Sequence, residues 1–253
     1  MSTTTSNCGC CSFNPWPHVG EMHTAGLDFF INALFGGSSS SSAYGAAITE
    51  QEFMMLVCSL AAEQFASDDP DPDPIINPGK PTNPFGQILC SILPNTVNSY
   101  CHSNGLERYN GMQQSFINLM LGSIYNVPVN SIKSRLIDIE TKLSESSLTI
   151  EEKTPLFQAL AIGTADYDYW IEKVENPGLW TSFLHSNYAV NYNNIPYWVG
   201  ASMEGALIYA NRALPTLPPL NTALDIISTV ISGTGLVAGK VVFKWVPKVK
   251  IGW

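Results

Sequence analysis

Apolar residues spaced three and four apart, in one run after another, set the tightest limit on how this chain can fold. Between Glu21 and Phe35, the residues Met22, Leu27, Phe30, Ile31 and Leu34 fall on one helical face, and Gly36-Gly37 ends the run. Thr49 followed by Glu52 is a capping-box signature that opens a second helix through Phe53, Leu56, Val57, Leu60, Ala61 and Phe65. Leu106 to Tyr125 contains Met112, Phe116, Leu119, Met120 and Ile124, and Val129 to Leu143 places Ile132, Leu136, Ile139 and Leu143 on one side with charges elsewhere. A second capping box, Thr149 with Glu152, begins a helix that runs to about Val174, with Pro155 expected in its tolerant first turn and Asn176-Pro177-Gly178 as its stop. Ile195 to Leu214 continues as a helix whose Gly200, Ala201, Gly205 and Ala206 permit close packing. Short apolar runs at Phe85 to Leu93 and Trp180 to Leu184 complete the set. No stretch alternates with the period of two that a half-buried strand needs. The expected fold is therefore all-α, an irregular multi-helix bundle with a Pro-rich acidic loop and a long apolar C-terminal helix.

Punctuation divides the chain into three parts. Residues 1–18 are rich in Ser, Thr and Asn, are broken by Pro15 and Pro17, and read as irregular. Residues 19–220 form the helical body. Within it, residues 67–84 alternate aspartate with proline and can hold neither helix nor central strand. Asp68, Asp69, Asp71 and Asp73 lack the glycine turn and terminal glutamate of an EF-hand, so the loop reads as solvated acid.

Residues 221–253 are the third part. Asn221 can cap a helix, Asp225 sits in its first turn, Lys240 and Lys244 lie in its last turns, and Pro247 stops it. Ile226, Val230 or Ile231, Val237, Val241 and Trp245 make one apolar face, while Ser228, Ser232, Gly235 and Gly239 make a small-residue face suited to close helix approach. A membrane span needs about 20 mostly apolar residues, and only Ile226 to Gly239 is free of charge. Lengthening it brings in lysines that cost roughly 2.5–3.5 kcal/mol each at a bilayer centre unless they snorkel. Three roles stay open for this segment: a buried core helix, a surface for self-association, and conditional insertion into a bilayer. The residues that would carry the last two are Gly233, Gly235, Gly239, Lys240, Phe243, Lys244 and Trp245.

Charge narrows the partners. The formal net charge is −9, and residues from Ala223 onward hold four lysines against one aspartate, +3, so the preceding residues carry −12. With no basic stripe to neutralise phosphates, nucleic acid is excluded as an expected partner. An anionic membrane or the chain's own acidic body suits the basic tail. Charged residues make up 13% of the chain, about half the usual share. Such a neutral polar composition points to an exported or surface protein, although Met1 to Asn7 is polar and is followed by no apolar signal run.

The segment HVGEMHTAGLDFF, from His18 to Phe30, resembles the start of a loosely defined set of uncharacterised helical proteins of the Bacteroidota, in which a G-x-x-H-x-x-x-L motif opens the body. Gly20, His23 and Leu27 carry the match. Tyr169-Trp170, the Asn176-Pro177-Gly178 turn and the glycine-rich apolar C terminus are similar to that set as well. The resemblance implies a helical fold and supplies no catalytic residues; it also implies an export or lipoprotein signal, which Met1 to Cys11 does not contain.

Two groupings could carry chemistry. Cys8, Cys10, Cys11, His18 and His23 offer thiolates and imidazoles of the kind that bind zinc or copper, in a spacing that fits no standard zinc pattern. At and just after ADYDYW, Asp168 and Glu172 share a helical face and could act as an acid/base pair, with His185 nearby in sequence, against the plainer reading that Tyr169 and Trp170 are core and the acids solvated. Glu204 lies among Met203 and small apolar residues, which marks it for burial, with Arg108 or Arg212 as a partner. No serine elbow, phosphate loop, dinucleotide fingerprint or HExxH is present. The expected function is therefore non-enzymatic binding or self-association; the alternatives are a membrane-active, pore-forming toxin and a metal-binding protein using the N-terminal cysteines and histidines.

Overall fold

One helix organises the rest, and burial shows which. The structure, a computed structural model, describes residues 14–35, 106–125, 127–179 and 192–213. Among the described residues there are five α-helices and two 3-10 turns, and no strand: α1 Pro17–Phe35, α2 Gly111–Tyr125, α3 Ile132–Glu145, α4 Ile150–Glu175 and α5 Ile195–Ala213. In α4 every residue from Pro155 to Gly163 is buried. A helix at a surface buries one stripe, so an unbroken buried run requires neighbours on all sides. All four other helices do pack on α4.

Side-chain pairs fix the directions. Gly163 meets Met203, Asp166 meets Ser202, and the rings of Trp170 and Trp198 lie 4.3 Å apart, so α5 runs antiparallel to α4. Lys133 pairs with Asp168 and Lys153 donates to the Ser144 carbonyl, so α3 is antiparallel as well. Gly20 lies against Ala161 and Ala165, and Tyr169 donates to Asp28, so α1 runs with α4. Leu27, Ile117, Met120, Leu136, Leu160, Trp170 and Val199 fill the common core.

The local signals of the sequence account for the ends. Thr149 and Glu152 form the reciprocal capping box, with the Thr149 hydroxyl accepting from the Glu152 amide and the Glu152 carboxylate accepting from the Thr149 amide at 2.8 Å. Gly178, at φ 52°, turns the chain after α4 in a conformation that costs an L-residue about 1–2 kcal/mol. Three expectations shift, the first being that α2 starts at Gly111, with Leu106 in the turn before it. α1 starts at Pro17, ahead of the anticipated Val19, because a proline in the first helical position gives up no hydrogen bond. Pro155 lies in the second turn of α4, past the tolerant one, and has no N–H to offer the carbonyl four residues back, that of the exposed Glu151.

The expected helix at Thr49 to Phe65, the acidic loop 67–84, the runs at 85–93 and 180–184 and the C-terminal segment 221–253 lie outside the described residues. Among the described residues, no helix is long and apolar enough to cross a membrane.

Candidate functional site

Among the described residues, carboxylates are drawn inward at three places, each joining helices. At the first, Asp166 on α4, His23 on α1 and Ser202 on α5 are all fully buried. His23 Nε2 lies 3.2 Å from Asp166 Oδ1, and Ser202 Oγ donates to Asp166 Oδ2 at 2.7 Å. These are the residue types of a hydrolytic triad in a different order. In a triad the histidine takes the serine proton and the acid orients the histidine. Here the carboxylate stands between the other two and accepts from the serine itself, an arrangement that ties three helices together and puts the carboxylate, in place of the imidazole, beside the hydroxyl.

The second junction joins α2 to α5. Tyr125 Oη donates to Glu204 Oε1 at 2.9 Å, and Gly200 lies directly beneath the Tyr125 hydroxyl, where a Cβ would collide with it. Burial, reinforced by the Glu204 charge, pushes the Tyr125 phenol well above its usual range. At the third, Asn14 is buried ahead of α1: its amide nitrogen donates to Glu140 Oε1 on α3 at 3.1 Å, and its Nδ2 donates to the Phe157 carbonyl on α4 at 2.8 Å. Asn14 and Glu140 thus tether the N-terminal end of α1 to two other helices.

The candidate residues read from sequence fare unequally. Glu204 is buried as expected, with Tyr125 as the observed partner. Tyr169 and Trp170 are core. Asp168 is exposed and ion-pairs with Lys133 at 2.6 Å, and Glu172 is exposed beside Lys173, so this pair of acids is solvated; His185 lies outside the described residues. Of the metal-ligand set, Cys8, Cys10 and Cys11 lie outside the described residues. His23 is turned into the core against Asp166, whereas His18 is exposed, 5.7 Å from the Trp16 ring, so the helix holds the two imidazoles in different environments. Among the described residues no group of three His, Cys, Asp or Glu side chains is placed to hold a metal. Gly233, Gly235, Gly239, Lys240, Phe243, Lys244 and Trp245 lie outside the described residues.

Asp166 and Ser202 were not singled out from sequence. The helical phase holds the signal for Asp166: it stands midway between Ile162 and Trp170, four residues from each, and so shares their buried side, while Asp168 points away. Gly20, His23 and Leu27 are likewise three positions of one face. Gly20 admits α4, His23 meets Asp166 and Leu27 fills the core, so the motif is a helix-docking surface.

One outward face differs in kind from the rest. α2 carries no charged residue over its whole length. Its inner side buries Gln113, Ile117, Met120, Leu121 and Ile124. On the other side Met112 and Leu119 are 45% and 42% exposed, with Phe116 half-buried between them, spaced as neighbours on one helical stripe. Comparison with protein-family models, with curated proteins and with solved structures finds no match, so the functional reading rests on these residues alone.

Proposed function

We propose that this chain is a non-enzymatic helical protein that acts by association with copies of itself, through the outer stripe of α2. The observation that carries the reading is the uncharged α2, which buries one side in the core and on the other exposes Met112 and Leu119 among the neutral Gln114, Ser115 and Asn118. A helix serving only the core presents charged or polar residues to water, and α2 interrupts its polar ones with Met112 and Leu119. The residues before Ala223 carry −12, so two copies repel over most of their surfaces. A charge-free face is where that repulsion is least, and Met112 and Leu119 give it apolar surface to bury. Antiparallel pairing of two α2 helices about a two-fold axis sets Met112 of one copy near Leu119 of the other, the self-complementary pattern of a symmetric dimer. Among the described residues the buried carboxylates of Glu140, Asp166 and Glu204 hydrogen-bond across helix junctions, which supports a binding role over a catalytic one.

The test is sedimentation equilibrium across a concentration series, comparing the native chain with the double variant Met112→Lys, Leu119→Lys. The native mass is expected to rise above 27.6 kDa with concentration while the variant stays at that value. A native chain that remains monomeric, or a variant that associates equally well, refutes the reading.

A further inference from the structure

We infer that Asn110-Gly111 is a site of spontaneous deamidation, held unreacted by the fold, and that its product uncouples the start of α2 from the start of α4. The inference goes beyond self-association and stands without it.

The dipeptide supplies the chemistry. Asparagine followed by glycine sets a side-chain amide next to a backbone nitrogen that no side chain shields. Once deprotonated, the Gly111 nitrogen attacks Asn110 Cγ: a C–N bond forms, the bond from Cγ to Nδ2 breaks, and Nδ2 leaves with a proton as ammonia. Water then opens the cyclic imide, at one carbonyl to aspartate and at the other to isoaspartate. Asn110 and Gly111 are both exposed, and a Cβ at Gly111 would meet nothing within 4 Å, so water reaches the reacting atoms.

The fold supplies the restraint. Asn110 Oδ1 accepts from the amides of Met112 at 3.0 Å and Gln113 at 2.9 Å, which caps α2. The Asn110 amide donates in return to Gln113 Oε1 at 2.9 Å, closing a reciprocal box. Asn110 Nδ2 donates to Glu152 Oε1 at 2.8 Å, and Gln113 Nε2 donates to the Glu152 carbonyl at 2.9 Å. Closing the imide ring turns the side-chain carbonyl away from the two amides it caps and removes Nδ2 from Glu152. The side-chain bonds of Asn110 therefore open first, and the reaction runs from a form in which the first turn of α2 has come undone.

Glu152 gives the modification its reach. Its other oxygen, Oε2, accepts from the Thr149 amide in the cap of α4, so one carboxylate serves the starts of two helices. Aspartate caps a helix as well as asparagine does. In place of the donor Nδ2, however, it turns a carboxylate oxygen toward Glu152, and like charges then face each other where a hydrogen bond stood. Isoaspartate also lengthens the backbone by a carbon and displaces the cap itself.

The experiment incubates the full chain at mildly alkaline pH, folded and in guanidinium chloride, and follows conversion by mass spectrometry. Trypsin, cutting after Arg108 and Lys133, separates Asn110 from Asn104-Gly105, and fragmentation locates the change within the peptide. Conversion at Asn110 is expected to be about tenfold or more slower in the folded chain, because the cap must open first. Gly111→Ala, which shields the attacking nitrogen, is expected to lose most of the conversion in guanidinium. Equal rates in the two states, conversion undiminished by Gly111→Ala, or none in the unfolded chain, overturn the inference. Asn110→Asp, which makes the product directly, is expected to raise the unfolding equilibrium constant about fivefold in a urea titration. Glu152→Gln in the same chain returns a donor to face that carboxylate and keeps an acceptor for Thr149, so it is expected to restore most of the loss. An Asn110→Asp chain as stable as the native one, or one that Glu152→Gln does not rescue, overturns the coupling of the two helix starts.

Discussion

Replacing Gly20 by alanine sets two effects of known size against each other. In an isolated helix the change is favourable by about 0.5–1 kcal/mol, because glycine gives up more backbone entropy on folding than alanine. In this fold the added Cβ would sit 2.5 Å from the Ala161 carbonyl oxygen and 2.7 Å from Ala165 Cβ. The first contact is with backbone inside the buried centre of α4, which cannot swing aside as a side-chain tip can. α1 must therefore withdraw by about half an ångström or more, at the roughly 1–3 kcal/mol typical of overpacking a core. The same movement stretches the buried contact from His23 to Asp166, already 3.2 Å, towards the limit of a hydrogen bond, where about 1.5–3 kcal/mol for a bond to a charged group is at stake. The terms sum to a net loss between about 1.5 and 5.5 kcal/mol. Urea unfolding followed by far-ultraviolet circular dichroism measures it, with Gly111→Ala as the control, since a Cβ there meets nothing within 4 Å. A Gly20→Ala protein as stable as the native one, or more so, would show that α1 does not rest on α4 at this point.

Three further outcomes follow from the same contacts. Asp166→Ala removes the acceptor of the Ser202 hydroxyl and the buried partner of His23; a loss of about 2–4 kcal/mol from two buried polar groups left short of a partner is expected in urea unfolding, and a loss under 1 kcal/mol would mean the junction is not buried as described. Thr149→Ala breaks the capping box and should cost about 1 kcal/mol by the same assay, with Ser at this position restoring most of it. Tyr109 and Tyr125 are both raised by burial, so the folded chain keeps two phenolic protons that the unfolded chain sheds near pH 10. Their contribution is complete below that pH and is lost as pH rises above it, by about 1.4 kcal/mol per unit for each phenol. Tyr109→Phe should make the alkaline decline shallower by one proton's worth in a pH series of unfolding measurements; an unchanged slope would mean that this phenol already ionises in the folded state.

Local instructions were legible in the chain because each acts within a few residues. Helical spacing located α1 through α5, the Thr149 and Glu152 pair set the start of α4, and Asn176-Pro177-Gly178 set its stop, since capping and turn geometry need only neighbours in sequence. Glu204 could be read as buried for the same reason, from the small apolar residues on both sides of it. Which helix stands at the centre was decided elsewhere. The C-terminal segment had the most apolar composition, yet among the described residues the element enclosed on all sides is α4, because enclosure depends on how many helices arrive, a property of no single stretch. The meeting of His23, Asp166 and Ser202 was equally out of reach: Asp166 lies 143 residues from His23 and 36 from Ser202, and only the packing of three helices brings a hydroxyl and an imidazole to one carboxylate. The same packing turned Gly20, His23 and Leu27 from a string of letters into a docking face and separated His18 from His23. Sequence alone thus determined where the helices begin, end and carry apolar surface, while tertiary structure alone decided which of those surfaces are satisfied and left the stripe of Met112, Phe116 and Leu119 facing outward, because satisfaction is a relation between surfaces distant in the chain.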